Sequence, residues 1–264
     1  MRPSDAISLL KLVRFDTSLL AASIVFVPYL YKGMNVLDAA QRALPILLMS
    51  MCCFVINDVH DLEKDRINHP ARPLPSGLIS ERFAMAIYFM LLAGTLSSIL
   101  IFVSQDKYYI YLLCLIVLTN YNHVVGDFPY LKNFYVAVAS VLPIFILRPS
   151  NFDFTVIDNV GLAMMFFIFG REVLMDISDL PGDGKTFVRL LGEKLSTRVG
   201  FASQFLAILL LFFIVDGMIQ WIILIFLFVS YLLLIILWIR VKFRPTVIHA
   251  MKAQALTGLV FLLQ

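Results

Sequence analysis

Charged residues are scarce in this chain, and their scarcity excludes most soluble classes of protein. Only 15% of the 264 residues are Asp, Glu, Lys or Arg, and 61% are hydrophobic. An ordinary soluble domain is about 25% charged and about 45–50% apolar. The mean hydropathy of +0.90 points the same way and indicates a polytopic membrane protein. Because the net charge is only +3 and no basic run occurs, we expect no nucleic-acid partner.

Cysteine is also rare, which argues against a protein with a metal–thiolate site or one stabilised by disulfide bonds. Cys52, Cys53 and Cys114 lie in apolar runs without CxxC or Cys/His spacing. We expect them to be small buried hydrophobic side chains. The first residues show neither a signal-peptide cleavage pattern nor a transit-peptide composition. The first apolar run is therefore expected to be retained as a helix.

Long hydrophobic runs are what the chain has in abundance. A helix that spans a bilayer needs about 20 mostly apolar residues. The runs of this kind predict nine spans in an all-α chain that forms one domain, residues 1–264: about 12–31, 36–56, 83–104, 108–126, 133–148, 156–175, 199–215, 218–239 and 246–264.

The distribution of Lys and Arg predicts the orientation of these spans. With a cytoplasmic N-terminus, seventeen of the 21 basic residues fall on the inside, and the outside holds only Lys32, Arg42, Lys107 and Arg148. Cytoplasmic loops carry such an excess. We expect a multi-pass protein with its active site on the cytoplasmic side, in the cell membrane of a prokaryote or an ER-type membrane of a eukaryote.

Two short acidic clusters interrupt this apolar background. Residues 57–65 read NDVHDLEKD, residues 176–183 read DISDLPGD, and each cluster directly follows a hydrophobic run. Carboxylates this close together repel one another and resist desolvation. Divalent cations explain such clusters, because Mg²⁺ prefers oxygen ligands and shares them with substrate phosphates.

Helical spacing places these side chains on shared faces. Residues four apart lie on one face, so Asn57, Asp61 and Asp65 form one stripe. Asp176 and Asp179 share a face three residues apart, and the break at residues 181–182 leaves Asp183 on a turn. We expect the two clusters to face each other across a cavity and to hold two or three Mg²⁺ ions and a diphosphate. The predicted metal ligands are Asn57, Asp58, Asp61, Asp65, Asp176, Asp179 and Asp183. The neighbouring cations suited to phosphate oxygens are Arg66, Arg72, Arg171 and Lys185.

These motifs resemble those of a known family. The first cluster continues into RINHPARPLPSG at residues 66–77, and the second is part of REVLMDISDLPGD at residues 171–183. The pair resembles the UbiA superfamily of intramembrane prenyltransferases, and its digeranylgeranylglyceryl phosphate synthase branch in particular.

The resemblance implies a fold and an activity. The fold is a barrel-like bundle of nine transmembrane helices around a central cavity. The activity is Mg²⁺-dependent transfer of a prenyl group from a C10–C20 isoprenoid diphosphate to a hydrophobic or amphiphilic acceptor, which is a lipid, an aromatic compound or a quinone precursor. The resemblance also implies that the catalytic residues are Asp61, Asp65, Asp176 and Asp179, and that Arg14, Arg72 and Tyr121 contact the diphosphate.

The chain departs from the family after its fourth span. The family usually has a Tyr followed four or five residues later by a Lys, but Tyr121 is followed by NHVVGD. We expect Lys132, eleven residues after Tyr121, to take the place of the missing lysine.

Three other functions remain to be weighed. A terpene cyclase of the same fold uses the same diphosphate without an acceptor. A cation transporter also carries intramembrane carboxylates, but these clusters lie at helix ends and not near the midplane. A CDP-alcohol phosphotransferase needs a DGxxAR motif, and the Asp-Gly that should precede Ala71-Arg72 is absent.

Overall fold

Helices in this protein begin and end close to the caps and turns visible in its sequence. A computed structural model describes residues 3–122, 124, 128–147, 156–180, 186–240 and 244–263. The chain divides into two compact units, Met1–Gly126 and Asp127–Gln264. No strand occurs among the described residues, so the predicted all-α class is confirmed.

The first unit is built around one long helix. Its helices are α1 (Pro3–Leu12), α2 (Phe15–Tyr31), α3 (Val36–His60), α4 (Leu62–Asn68), α5 (Glu81–Phe102) and α6 (Tyr108–Thr119). Helix α3 packs against α2, α5 and α6. Leu12, Cys52, Val55, Leu74 and Ala84 form part of a hydrophobic core beside the end of α3, where the first acidic cluster begins.

Local side-chain chemistry sets the ends of these helices. The Asn35 side chain accepts a hydrogen bond from the Asp38 amide at 2.9 Å at the start of α3. Ser80 accepts one from the Phe83 amide at 3.3 Å at the start of α5. Gly33 adopts φ 85° just after α2, a conformation that glycine reaches without a Cβ clash. Lys32 and Gly33 therefore form the turn between α2 and α3.

The second unit is also centred on one helix. It contains α7 (Lys132–Val141), α8 (Val156–Asp179), α9 (Phe187–Leu191), α10 (Glu193–Phe212), α11 (Met218–Trp238) and α12 (Arg244–Gly258), with a 3₁₀ helix at Leu142–Leu147 after α7. Helix α8 packs against α7, α10 and α12, and α11 packs against α10 and α12. The second acidic cluster begins in the last turn of this central helix.

Each of the nine predicted hydrophobic runs contains a helix. Within the described ranges, four helices are long and apolar enough to cross a membrane: Val36–His60, Glu81–Phe102, Glu193–Phe212 and Met218–Trp238. Phe15–Tyr31 and Lys132–Leu147 are shorter apolar helices. The first predicted run begins inside α1, and the chain bends at Arg14 before α2. A count of nine spans and a barrel arrangement remain predictions.

Helix α11 shows the surface expected of a protein in lipid. It contains no charged residue, and Ile222 and Phe226 are 59% and 58% exposed. Leu227 and Leu234 on the same helix are buried. A helix whose side chains are almost all apolar and about half exposed fits an integral membrane protein.

Small residues bring α8 and α10 into close contact. A Cβ atom on Gly170 would lie 2.5 Å from the Gly200 carbonyl oxygen, and one on Gly200 would lie 2.8 Å from Leu174 Cγ. Ser203 Oγ donates to the Phe166 carbonyl at 2.9 Å, and Gln204 Nε2 donates to the Phe167 carbonyl at 2.6 Å. Close helix packing through small and polar side chains is the usual means of association in membranes.

We predict that Gly170→Ala lowers the stability of the second unit by about 1–3 kcal/mol, because the new methyl group meets a backbone oxygen that cannot move aside. Thermal unfolding of the purified protein in detergent measures the effect. Gly94→Ala in α5 is the matched control, since its Cβ would meet only Leu48 Cδ1 at an ordinary 3.6 Å. An unchanged midpoint for Gly170→Ala would show that α8 and α10 are not held this closely.

Candidate functional site

Arg14 occupies a strained position between α1 and α2. It has φ 43° and ψ 54°, and within the described chain it is the one non-glycine residue at positive φ. Its guanidinium donates to Asp58 Oδ1 at 2.5 Å and lies over the Phe54 ring, 4.8 Å from the centroid. A left-handed L-residue costs about 1–2 kcal/mol. The ion pair with α3 is an interaction that can offset this cost.

Arg72 joins two buried carboxylates of the first cluster. Its Nη1 donates to Asp65 Oδ2 at 2.5 Å and lies 3.7 Å from Asp58 Oδ1. Asp58 and Asp65 are only 2% and 5% exposed. Buried carboxylates require partners because desolvation disfavours their charge. Arg14 and Arg72 therefore hold this end of α3 in place.

The predicted stripe of Asn57, Asp61 and Asp65 is preserved across a break between two helices. Helix α3 ends at His60, and α4 begins at Leu62. Backbone hydrogen bonds nevertheless run from the Asp61 amide to the Asn57 carbonyl and from the Asp65 amide to the Asp61 carbonyl, at 2.9 and 2.8 Å. The three residues of the stripe thus keep their four-residue spacing across the break. Asn57 Oδ1 is buried and accepts no hydrogen bond from the described residues.

Other members of the first cluster lie further out. Lys64 Nζ bonds Asp61 Oδ1 at 3.1 Å, and both side chains are partly exposed. Arg66, a predicted diphosphate ligand, pairs with Glu63 at 2.6 Å; their side chains are 56% and 80% exposed. Glu63 is solvated, as its place off the stripe predicts. Arg66 therefore lies on the outer surface of this cluster, paired with Glu63.

The second cluster has a buried ion pair of its own. Lys132 Nζ, at the start of α7, donates to Asp176 Oδ1 on α8 at 2.9 Å. Asp176 is fully buried, and no partner for its Oδ2 occurs in the described part of the chain. Lys132 therefore reaches the acidic motif despite its distance from Tyr121 in sequence.

Two buried polar residues beside this pair escaped the sequence analysis. Glu172 is 6% exposed and is bonded by its neighbour Arg171. Asn133 is 1% exposed, and neither of its amide atoms has a hydrogen-bond partner in the ranges described. Glu172 belongs to the quoted second motif, so its position offered a signal. Asn133 follows Lys132 without any pattern that marks it.

The structure describes only two of the four remaining predicted site residues. Asp179 is half-buried in the last turn of α8, three residues after Asp176, so the predicted shared face is present. Tyr121 is half-buried in a helical conformation. Asp183 and Lys185 lie outside the described residues.

The donor set fits a hard cation, although its carboxylates are bonded to basic side chains in the structure. No group of three or more His, Cys, Asp or Glu side chains within the described ranges is arranged to hold a metal. Two of the buried oxygens that lack a hydrogen-bond partner among the described residues, Asn57 Oδ1 and Asp176 Oδ2, belong to the predicted ligand sets. Amide and carboxylate oxygens are ligands that Mg²⁺ accepts. Each cluster thus keeps one buried oxygen atom available to a ligand.

An all-helical membrane protein with paired acidic motifs is the class that this fold and these sites define. Within that class, the sequence model of the UbiA prenyltransferase family matches residues 24–256. The chain belongs to the UbiA prenyltransferase family.

Curated relatives support this assignment. A digeranylgeranylglyceryl phosphate synthase of Methanosphaera stadtmanae is 34% identical over 152 residues, which are 53% of this chain and 54% of the relative. The synthase of Saccharolobus solfataricus is 30% identical over 247 residues, 87% of this chain and 86% of the relative. The chain spans about half the length of the first of these relatives.

Solved structures share the fold at low identity. A UbiA homologue from Aeropyrum pernix K1 superimposes with a TM-score of 0.73 at 18% identity, covering 93% of this chain and 98% of that one. A homologue from Archaeoglobus fulgidus, bound to DMAPP and Mg²⁺, gives 0.70 at 15% identity and covers 96% and 99%.

We predict that Arg14→Gln destabilises the first unit by about 3 kcal/mol, because it leaves Asp58 buried without its nearest partner. Adding Asp58→Asn to that variant removes the buried charge and should restore part of the loss, so the two changes are not additive. Chemical or thermal unfolding of the three variants measures the coupling.

Arg66→Gln is the control for this cycle, since its pair with Glu63 is exposed and should be worth less than about 1 kcal/mol. Strict additivity of Arg14→Gln and Asp58→Asn would mean that the ion pair contributes nothing to stability.

Proposed function

We propose that this protein transfers a prenyl group from an allylic isoprenoid diphosphate to a hydrophobic or amphiphilic acceptor and releases pyrophosphate, in a reaction that depends on Mg²⁺. One observation carries the proposal. Each acidic cluster has a buried oxygen without a hydrogen-bond partner among the described residues, and each also has an Arg or Lys bonded to a buried Asp. The curated relatives are named digeranylgeranylglyceryl phosphate synthases. Solved homologues were bound to DMAPP or GPP together with Mg²⁺.

The cations of the site remain capable of binding a diphosphate while they hold the carboxylates. An arginine has five N–H donors in a planar fork. Arg14 bonds Asp58 through Nη2, and Arg72 bonds Asp65 through Nη1. The donors that remain suit phosphate oxygens, which guanidinium groups bind with charge-assisted hydrogen bonds. Asn57, Asp61, Asp65, Asp176 and Asp179 supply the oxygens that would hold Mg²⁺.

The reaction follows from charge neutralisation and exclusion of water. When bound, Mg²⁺ stabilises the negative charge of the departing pyrophosphate. The C–O bond to the allylic carbon breaks, and its electron pair leaves with the diphosphate oxygen. The acceptor's nucleophilic atom then bonds to that carbon, and its proton passes to the released pyrophosphate. An apolar cavity for the prenyl chain would keep water, a competing nucleophile, away from the allylic cation.

Terpene cyclisation is the second candidate, and the departure after Tyr121 favours it. Without the family's lysine, recognition of the second substrate is the part of the reaction most open to change. In cyclisation, a double bond of the prenyl chain attacks the allylic carbon, the carbocation that results loses a proton to the released pyrophosphate, and no acceptor is consumed. The site for ionisation is the same in both reactions.

We predict Mg²⁺-dependent release of pyrophosphate when the purified protein is incubated with C10, C15 and C20 diphosphates. Asp61→Asn and Asp179→Asn should each lower turnover by about 100-fold or more, since each removes charge where the leaving group departs. Assays with and without a lipid acceptor, followed by extraction of the products, separate transfer from cyclisation. Glu63→Gln is the control, because its solvated carboxylate lies off the stripe. Full turnover in EDTA would rule out the proposal.

A separate prediction concerns the role of Lys132 in binding the prenyl donor. If its ammonium replaces the missing family lysine, Lys132→Ala lowers kcat/KM for the prenyl donor by at least about tenfold, and Lys132→Arg keeps most of it because a cation remains. Steady-state kinetics with varied donor concentration test this. Lys194→Gln, an exposed lysine in the first turn of α10, serves as the control. Unchanged donor kinetics in the alanine variant would restrict Lys132 to its bond with Asp176.

A further inference from the structure

An apolar groove runs between α10 and α11 in the second unit, and no residue of the second acidic cluster lines it. The groove encloses about 270 Å³, and its walls are seven apolar side chains: Phe205, Ile208, Leu209, Phe212, Leu224, Ile225 and Phe228. Phe205, Phe212 and Ile225 are 45%, 48% and 60% exposed, so the groove opens onto the outer surface of the helix pair. In an integral membrane protein, such a surface suits a hydrocarbon chain.

Two arginines lie at one end of the same helix pair. Arg198 is in the second turn of α10, and Arg240 follows the last residues of α11. The rings of Phe201 and Trp238 contact each other edge to face, 6.1 Å between centroids. This contact brings the beginning of α10 beside the end of α11. Both arginines are exposed, and neither forms an ion pair with a residue that the structure describes.

The charge at this end of the helix pair is positive. The one acidic residue in the first two turns of α10 is Glu193. Its carboxylate accepts a hydrogen bond from Arg244 Nη2 at 2.6 Å, and the Arg244 guanidinium also lies 4.9 Å from the centre of the Trp238 ring. That ion pair is neutral, so the charges of Arg198 and Arg240 are not balanced by it. Guanidinium groups bind phosphate oxygens with charge-assisted hydrogen bonds.

The distance from the arginines to the groove matches the depth of one membrane leaflet. Arg198 precedes Phe205 by seven residues and Phe212 by fourteen. A helix rises about 1.5 Å per residue, so the groove extends from about 10 to about 20 Å beyond Arg198. The hydrocarbon region of one leaflet is about 15 Å deep, half of the bilayer core. A lipid with its phosphate at the arginines can therefore place an acyl chain in the groove.

We propose that this surface binds one anionic phospholipid of the surrounding bilayer, with its phosphate at Arg198 and Arg240 and one acyl chain in the groove between α10 and α11. A zwitterionic lipid fits less well, because its ammonium group brings positive charge to an end of the helix pair that is already positive. The proposal does not rest on prenyl transfer, since no residue of either acidic cluster takes part in it.

A tryptophan beside the groove allows the bound chain to be detected. Trp221 is 44% exposed, and its ring centroid is 5.5 Å from that of Phe212. The chain has two tryptophans, so Trp238→Phe leaves Trp221 as the single indole and keeps an aromatic ring at position 238. Bromine atoms on an acyl chain quench indole fluorescence on contact. Lipids brominated near the end of the chain therefore report occupation of the groove.

The experiment compares brominated phosphatidylglycerol with brominated phosphatidylcholine of the same chains, in bilayer nanodiscs that hold the Trp238→Phe protein. Phosphatidylglycerol should quench Trp221 to the half-maximal level at about a fivefold lower mole fraction, because each arginine near an anionic headgroup is worth about 1 kcal/mol. Equal quenching by the two lipids would mean that any lipid fills the groove, and the proposal would be overturned.

Variants of the arginines test which side chains cause the preference. Arg198→Gln combined with Arg240→Gln should remove most of it, and the corresponding double lysine variant should keep most of it. Arg82→Gln, which changes an exposed arginine in the first turn of α5, is the matched control and should behave as the parent protein. Salt provides a test without these substitutions: raising ionic strength from about 0.05 to about 0.5 M should shrink the preference of the parent protein. A preference that persists in high salt would contradict the proposal.

Two further measurements exclude other occupants of the groove. We expect GPP with Mg²⁺ to leave quenching by phosphatidylglycerol unchanged. If GPP relieves this quenching, the groove holds the prenyl donor and the proposal is overturned. If neither brominated lipid quenches Trp221 and the purified protein is a dimer, a second copy of the chain covers the groove, and the lipid assignment is wrong.

Discussion

The burial of Asp58 in the last turn of α3 and of Asp65 in α4 is the constraint on which the first unit depends. A carboxylate removed from water needs a positive partner. Arg14 supplies one from the junction of α1 and α2, and Arg72 supplies the other from the segment after α4. These ion pairs connect the α1–α2 junction to α3, and they connect the segment after α4 both to α4 and, through Asp58, to α3. The positive φ of Arg14 is one local cost of the arrangement.

The same pairs connect stability with chemistry. Arginines that neutralise the carboxylates also offer donors to phosphate, and the carboxylates they hold suit a divalent cation. Charge in such a site is redistributed among cations and anions as ligands bind. The buried oxygens of Asn57 and Asp176, which lack partners among the described residues, are where additional cationic charge is best accepted.

In the second unit, close helix packing has the role that the Arg–Asp ion pairs have in the first unit. Gly170 and Gly200 bring α8 against α10, so the backbone of α8 is held along much of its length. Its last turn then presents Asp176 to Lys132 on α7. A membrane interior gives little hydrophobic force between helices, so small residues and side-chain-to-backbone hydrogen bonds carry the packing.

The sequence by itself determined the membrane class, the helical runs, both acidic motifs and the four-residue spacing of Asn57, Asp61 and Asp65, because these follow from composition and local periodicity. It did not reveal the break at Asp61 or the left-handed Arg14. It also left open which cation pairs with which carboxylate, and the burial of Asn133 and Glu172. Only the tertiary structure decided those features. Ion pairs such as Arg14–Asp58 and Lys132–Asp176 join residues 44 positions apart, and burial depends on every helix packed around a residue.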